Sequence, residues 1–239
     1  MTASMMWNWE YAIAVFPIVF QAIWVTLSAT LVGFGIAVIV GLFWTLARRS
    51  SYKPVAWTVG GLVEFIRSTP LLVQLFFLYY ALPQLPYIGV SLDAFTAGVI
   101  GLGLHYSTYL SEIYRSGIES IPKGQWEACT ALNFSRLHTW TKVILPQAVP
   151  PVLPMFGNYL IVMFKETPLL GAITVVEMLQ VSLIIGSQSF RYIEPITIVG
   201  LLFLLLSYPS ALAVRRLEER MKARYGRGKQ KVTREEVTL

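Results

Sequence analysis

Several residues of this 239-residue chain are polar or ionisable where their surroundings are apolar, and their spacing limits what they can do. Glu64 and Arg67 stand three apart early in an apolar run, so a helix puts both on one face, where they neutralise each other. Glu112 and Arg115 repeat that spacing at the end of another run; both pairs read as structural ion pairs. His105-Tyr106-Ser107-Thr108-Tyr109 forms a polar centre in an apolar segment, suited either to facing a cavity or to hydrogen bonding between helices. Lys165-Glu166-Thr167-Pro168 ends a 22-residue charge-free stretch. A charge at the centre of a bilayer costs about 2.5–3.5 kcal/mol, so such groups pair or line a wet path. Because the backbone is also broken there, Lys165 and Glu166 read as pathway residues. Tyr159, on the same stretch, taken alone is a packed aromatic more often than a ligand contact.

The other polar region is residues 123–146, KGQWEACTALNFSRLHTWTKVILP, the most polar stretch of the interior. It carries two short helical patterns broken at Leu132-Asn133-Phe134. Ser135 can cap the second, its hydroxyl accepting from the next turn's N–H groups. Asn133 stands where a tight turn needs positive φ, which Asn tolerates best after glycine. Enzymatic devices are missing: there is no G-x-x-x-x-G-K-[ST] loop for nucleotide phosphates, no nucleophile elbow and no zinc spacing. Cys129 is the only cysteine, and the two histidines, His105 and His138, are far apart in sequence. No catalytic residue, metal site or bound cofactor is expected.

The elements that must position these groups lie in a membrane. Hydrophobic residues make up 55% of the chain and charged residues 13%, against about 25% charged in a soluble domain. The chain reads as an all-α integral membrane protein. Residues 1–22, with Trp7, Trp9, Tyr11 and Phe16, suit an interfacial extracytoplasmic segment; no basic n-region marks a cleaved leader. Crossing needs about 20 apolar residues, and five spans are expected, near 23–46, 55–80, 94–112, 143–164 and 195–214. Within the first, Ser28, Gly33, Gly35, Ala37 and Gly41 are read as one small-residue packing face. The second is interrupted at Ser68-Thr69-Pro70. In the fourth, Pro146, Pro150, Pro151 and Pro154 are expected to delay regular helix until near residue 154. Residues 169–185, broken by Gly171 and Glu177, read as a short or partly buried helix.

Charge sets the expected orientation. Lys and Arg number three after the first span, four in the polar loop 114–142 and nine in the tail 215–239, together 16 of 19. The opposite loop, 82–93, has none. By the positive-inside rule the loop and tail are cytoplasmic and the N-terminus is outside. A sixth span would move the basic tail outside and is rejected. The net charge of +6 suits a lipid bilayer surface rather than nucleic acid.

Glu127-Ala128-Cys129, three residues, Asn133, nine residues, Val143, one residue and Leu145-Pro146 resembles the EAA motif of ABC importer permeases. Cys129, Asn133 and Val143 depart from its Ala, Gly and Ile. Arg67-Ser68-Thr69-Pro70-Leu71-Leu72-Val73-Gln74, Ile121-Pro122-Lys123-Gly124-Gln125, Leu145-Pro146-Gln147-Ala148 and Lys165-Glu166-Thr167-Pro168-Leu169 are similar to its polar amino-acid uptake branch. The resemblance covers nearly the whole chain. It implies a type I importer permease fold (MetI-like) in a bacterial inner membrane. The partners it implies are a second permease copy or paralogue, a pair of ATP-binding subunits carrying ATP and Mg, and an extracytoplasmic solute-binding protein. It also implies that loop 117–142 couples to the ATPase through Gly124, Gln125, Glu127, Ala128 and Asn133.

Where basic amino-acid members carry Gly-Asn-Glu, this chain has Gly157-Asn158-Tyr159; a Tyr face suits a compact zwitterion or delocalised cation. With His105-Tyr106-Ser107-Thr108 and Lys165-Glu166-Thr167-Pro168, this looks most like permeases for ectoine and hydroxyectoine. The resemblance thus points to His105, Asn158, Tyr159, Lys165 and Glu166 along the substrate pathway. Two other readings are a self-sufficient carrier or channel, with Glu64, Glu112 or Glu166 as relay groups, and an anchoring subunit without a pathway.

Overall fold

The computed structural model describes residues 7–236 apart from residue 88, with side chains through residue 223. The start of the expected N-terminal segment (1–6) and the end of the basic tail (237–239) lie outside the described residues. Among the described residues every regular element is helical. In order they are α1 (Trp9–Gln21), α2 (Ile23–Arg48), α3 (Lys53–Ser68), α4 (Leu71–Phe76), α5 (Ala94–Glu119), α6 (Lys123–Ala131), α7 (Arg136–His138), α8 (Leu145–Glu166), α9 (Met178–Ser189) and α10 (Ile193–Glu236).

Helix α5 is central and is covered on its sides by α2, α8, α3 and α4. Asp93 caps it, its carboxylate accepting from the N–H of Thr96 at 3.0 Å. That hydrogen bonding to Thr96 holds the Asp93 carboxyl below its ordinary range. The α2–α5 pairing is the most extensive in the molecule. Gly33, Ala37 and Gly41, four apart on α2, are all buried. A Cβ at Gly33 would meet Leu102 Cβ at 3.2 Å, and one at Gly41 would meet Ser107 O at 2.8 Å. The small-residue face is therefore narrower than the sequence suggested. Gly35 has open space within 4 Å, because 200° of helical rotation separates it from Gly33. Trp44 Nε1 donates to Ser107 Oγ at 2.8 Å and Thr45 Oγ1 to Ser111 O at 3.1 Å, along the same seam.

A second layer is built from α1, α9 and α10, with Val15, Val19, Phe164, Met178, Ile198 and Leu202 in its core. Only Ala22 separates α1 from α2, and Trp9–Arg48 together make one apolar unit of 40 residues. Where an interfacial segment was expected, α1 packs on α9 and α10, and Tyr11 Oη bonds Ser189 Oγ at 2.6 Å. Three helical units are long and apolar enough to cross a membrane: Trp9–Arg48, Arg136–Ile173 and Ile193–Ala223. The pair Lys53–Ser68 and Leu71–Gln84 makes a fourth if counted as one span, although it is bent by 104°. The interruption expected at Ser68-Thr69-Pro70 within the span 55–80 is thus a sharp elbow. Pro70 removes a donor and holds the residue before it out of the helical region; Thr69 has ψ 141°. Although α5 has 26 residues, its polar centre keeps it out of that group.

Two expectations about breakers needed correction. Helix α8 begins at Leu145, well before Pro154, and runs through Pro150, Pro151 and Pro154. Pro146 falls in the first turn, where no N–H is required. The wide π turn Thr139–Ile144 precedes it, and Gln147 Nε2 supplies a donor to Val143 O at 2.8 Å. Packing offsets the remaining cost: a Cβ at Gly117 of α5 would lie 2.8 Å from Ala148 O. The second correction concerns residues 169–185, which form two elements, a 3-10 turn Thr167–Ile173 and α9. Glu177, fully buried, caps α9 by accepting from the N–H groups of Leu179 and Gln180 at 3.0 and 2.7 Å.

The glycine geometry carries a paired prediction. Gly41→Ala should destabilise the protein by about 1–3 kcal/mol, since backbone must move to admit the methyl group. Gly35→Ala, in open space, should be neutral or stabilise by up to about 1 kcal/mol through helix propensity. Thermal unfolding of both variants in detergent checks the contrast.

Candidate functional site

The polar centre of α5 meets α8 and α4 in an aromatic cluster. Tyr106 and Tyr109 share a face of α5 by their spacing, and Tyr159 comes from α8. Ring centroids are 6.0 Å apart for Tyr106–Tyr159, 5.6 Å for Tyr109–Tyr159 and 5.9 Å for Tyr106–Tyr109. His105 stands 5.4 Å from Tyr106 and 5.3 Å from Tyr109. Tyr106 Oη donates to Glu166 Oε2 at 2.5 Å, and His105 Nδ1 lies 3.3 Å from Gln74 Oε1 on α4. Tyr106 and His105 are buried, while Tyr109, Tyr159, Gln74 and Glu166 are half-buried, so one side of the cluster is accessible. Phenol faces and a carboxylate form an electron-rich surface that favours a cationic or zwitterionic guest.

Of the residues singled out for a pathway, the structure brings together His105, Tyr159 and Glu166. Asn158 and Lys165 are exposed, and their side chains make no hydrogen bond or ion pair among the described residues. Tyr109 and Gln74 join the cluster, although from sequence Tyr109 had only a place in the polar centre of α5 and Gln74 only one in the motif 67–74. The i,i+3 spacing of Tyr106 and Tyr109 and a lone Gln in an apolar run were the available signals. Among the described residues no group of three or more His, Cys, Asp or Glu could hold a metal ion.

The polar loop folds as a compact pair of helical pieces. Helix α6 ends in two bonds, Asn133 N to Thr130 O and Phe134 N to Cys129 O, both 3.0 Å. This is a Schellman closure, with Asn133 in the left-handed region at φ 54°. Ser135 Oγ then accepts from His138 N at 3.2 Å and starts the next piece. Trp126 and Trp140 meet edge to face at 5.4 Å over Ile121, Ile144 and Ala148, which locks the two pieces together. Gln147 Nε2 reaches Gln125 Oε1 at 3.1 Å. Gly124, Gln125, Glu127 and Ala128 are exposed, and Glu127 makes no ion pair among the described residues.

An ion cluster ties three helix ends together. Glu112 on α5 bonds Arg48 of α2 and Arg115 of its own helix, the latter at 2.7 Å, and Arg67 of α3 lies at 3.9 Å. Arg67 also pairs with Glu64 at 2.5 Å, and Arg115 with Glu119 at 2.8 Å. The two i,i+3 pairs expected from sequence are therefore parts of one network.

The family model for the inner membrane component of binding-protein-dependent transport systems matches residues 33–223. The chain belongs to that family. Among relatives, the probable amino-acid ABC transporter permease y4tG of Sinorhizobium fredii is 42% identical over 86% of this chain and 87% of its own. The glutamine transport permease GlnP of Escherichia coli is 33% identical over 91% and 99%. Among solved structures, an amino acid ABC transporter crystallised with histidines superposes with a TM-score of 0.83, at 34% identity over 90% of this chain and all of that one. The methionine transporter MetNI, inward facing, shares the fold, with a TM-score of 0.64 at 20% identity over 92% and 99%. This binding-protein-dependent permease component is therefore an inner-membrane transport subunit with the MetI-like helical fold, and not an enzyme.

In this permease component Glu112 faces three arginines. Glu112→Gln should lower stability by about 1–2 kcal/mol, the scale of a partly solvated charged hydrogen bond. Thermal unfolding in detergent at low and high salt tests it; the difference from the unaltered protein should shrink as salt rises.

Proposed function

We propose that this chain is the permease subunit of an ATP-driven importer for a small polar amino acid or an amino-acid-derived compatible solute, ectoine or hydroxyectoine being the best match. It works with a second copy of itself or a paralogue, a pair of ATPase subunits holding ATP and Mg, and an extracytoplasmic solute-binding protein. In this reading the chain has five spans, and the basic loop and tail argue for a cytoplasmic polar loop and an outside N-terminus. The bent α3–α4 pair and the protein-buried α5 supply the two beyond those with high hydropathy. The observation that carries this reading is the capped helix pair around Asn133 and Ser135, stiffened by Trp126 against Trp140 and exposing Gly124, Gln125, Glu127 and Ala128. Such a unit transmits a push from an ATPase groove to α5 and α8, its flanking helices, and so alternates access to the pathway.

The solute class is supported by the His105–Tyr106–Tyr109–Tyr159–Glu166 cluster. A compact zwitterion with a flat amidinium, such as ectoine, can place its cation over a tyrosine face and near the Glu166 carboxylate. Relatives described as carrying glutamine and L-cystine support a small polar amino-acid frame.

Glu127→Lys in the reconstituted complex should abolish solute-stimulated ATP hydrolysis or weaken ATPase docking while membrane insertion stays intact. Normal coupling in that variant would overturn the assignment of the loop. Uptake of labelled ectoine against arginine tests the solute: preferred arginine uptake would sink the ectoine assignment. Flux through the purified chain without ATPase would favour a self-sufficient carrier instead.

A further inference from the structure

Gln74 stands on α4 just beyond the 104° elbow, and its side chain faces both the elbow and the aromatic cluster. Three acceptors surround its amide nitrogen: Ile66 O at 2.7 Å, Thr69 O at 3.1 Å and Thr69 Oγ1 at 2.7 Å. The Thr69 hydroxyl itself donates to Ile66 O and Phe65 O, at 3.1 and 3.2 Å, so its oxygen is free to accept. Reversing the amide would set its oxygen against the carbonyl oxygens of Ile66 and Thr69, neither of which can donate. The orientation is therefore fixed, with Oε1, which can only accept, turned to His105 Nδ1 at 3.3 Å. Nδ1 must then carry a hydrogen. A neutral imidazole has one N–H, so its lone pair falls on Nε2. None of the described residues hydrogen-bonds Nε2.

We propose that Gln74 is a positioning residue: it holds the hydrogen of His105 on Nδ1, so that Nε2 offers its lone pair to an N–H donor of the transported solute. The inference rests on reading the aromatic cluster as the solute site. Nε2 and the Glu166 carboxylate both accept, and the tyrosine faces welcome positive charge. The solute group met here is an ammonium or amidinium, and a carboxylate end has no partner in this set. Because the same amide binds the elbow, a solute that engages His105 also loads the end of α3. There Arg67 meets Glu64 and Glu112.

The test is 15N NMR of the whole importer, labelled with [15N]histidine and reconstituted in lipid. The spectrum of a His105→Gln variant is subtracted to isolate the His105 signals. The unaltered protein should show neutral His105 as the Nδ1–H tautomer. Gln74→Leu should move it to Nε2–H and raise the KM for uptake about tenfold, the loss of one hydrogen bond, with a smaller change in kcat. An Nε2–H tautomer in the unaltered protein, or Nδ1–H retained in Gln74→Leu, overturns the proposal. Should the Leu variant fail to assemble, the tautomer of the unaltered chain decides alone. A Gln74-dependent tautomer with unchanged uptake by His105→Gln supports the lock and overturns instead the placing of the solute at this cluster.

Discussion

Where Gly41 of α2 faces α5, backbone meets backbone: a single added carbon would sit 2.8 Å from the Ser107 carbonyl. In lipid the helices gain little from hiding apolar surface, because acyl chains are as apolar as leucine. Association rests on close van der Waals packing and on hydrogen bonds between helices. The seam of Gly33, Ala37 and Gly41 provides the first; Trp44 to Ser107 and Thr45 to Ser111 provide the second. With α2 pressed against one side of α5, the rotation of α5 is set. His105, Tyr106 and Tyr109 then meet α4 and α8.

The elbow between α3 and α4 completes that arrangement. Pro70 breaks the helix, and the freed carbonyls of Ile66 and Thr69 need donors, which in an apolar setting must come from the protein. Gln74 supplies one amide to both and to the Thr69 hydroxyl. The break is thus satisfied by a side chain that also reaches the aromatic cluster. On its other side the elbow ends in Arg67, which joins Glu64 and Glu112 at the ends of α3 and α5. Backbone irregularity, an ion network and a polar cluster lie within a few residues of one another for a common reason. Each needs polar partners that lipid does not provide.

The loop after α5 works by different physics. It is short, exposed and rigid, and its stiffness is local: a Schellman closure at Asn133, a cap at Ser135 and one pair of indole rings. The family comparison and the fold agree that the chain is a permease component. A stiff exposed joint lies between α5 and α8, the two helices that carry most of the aromatic cluster.

Much of this was legible from residue order alone. The helical class, the left-handed Asn133, the Ser135 cap, the break at Ser68-Thr69-Pro70 and the ion pairs Glu64–Arg67 and Glu112–Arg115 depend on neighbours within a few positions, where propensity and spacing suffice. The family resemblance rests equally on local motifs. Other features escaped it: Gly35 turning away from the seam, the helix running through Pro150, Pro151 and Pro154, and α1 packing on α9 and α10. So did the meeting of Gln74 with His105. Each of these depends on how helices far apart in sequence rotate and press on one another. Hydropathy says that a helix is apolar but not which way it faces, and only the packed structure decides that.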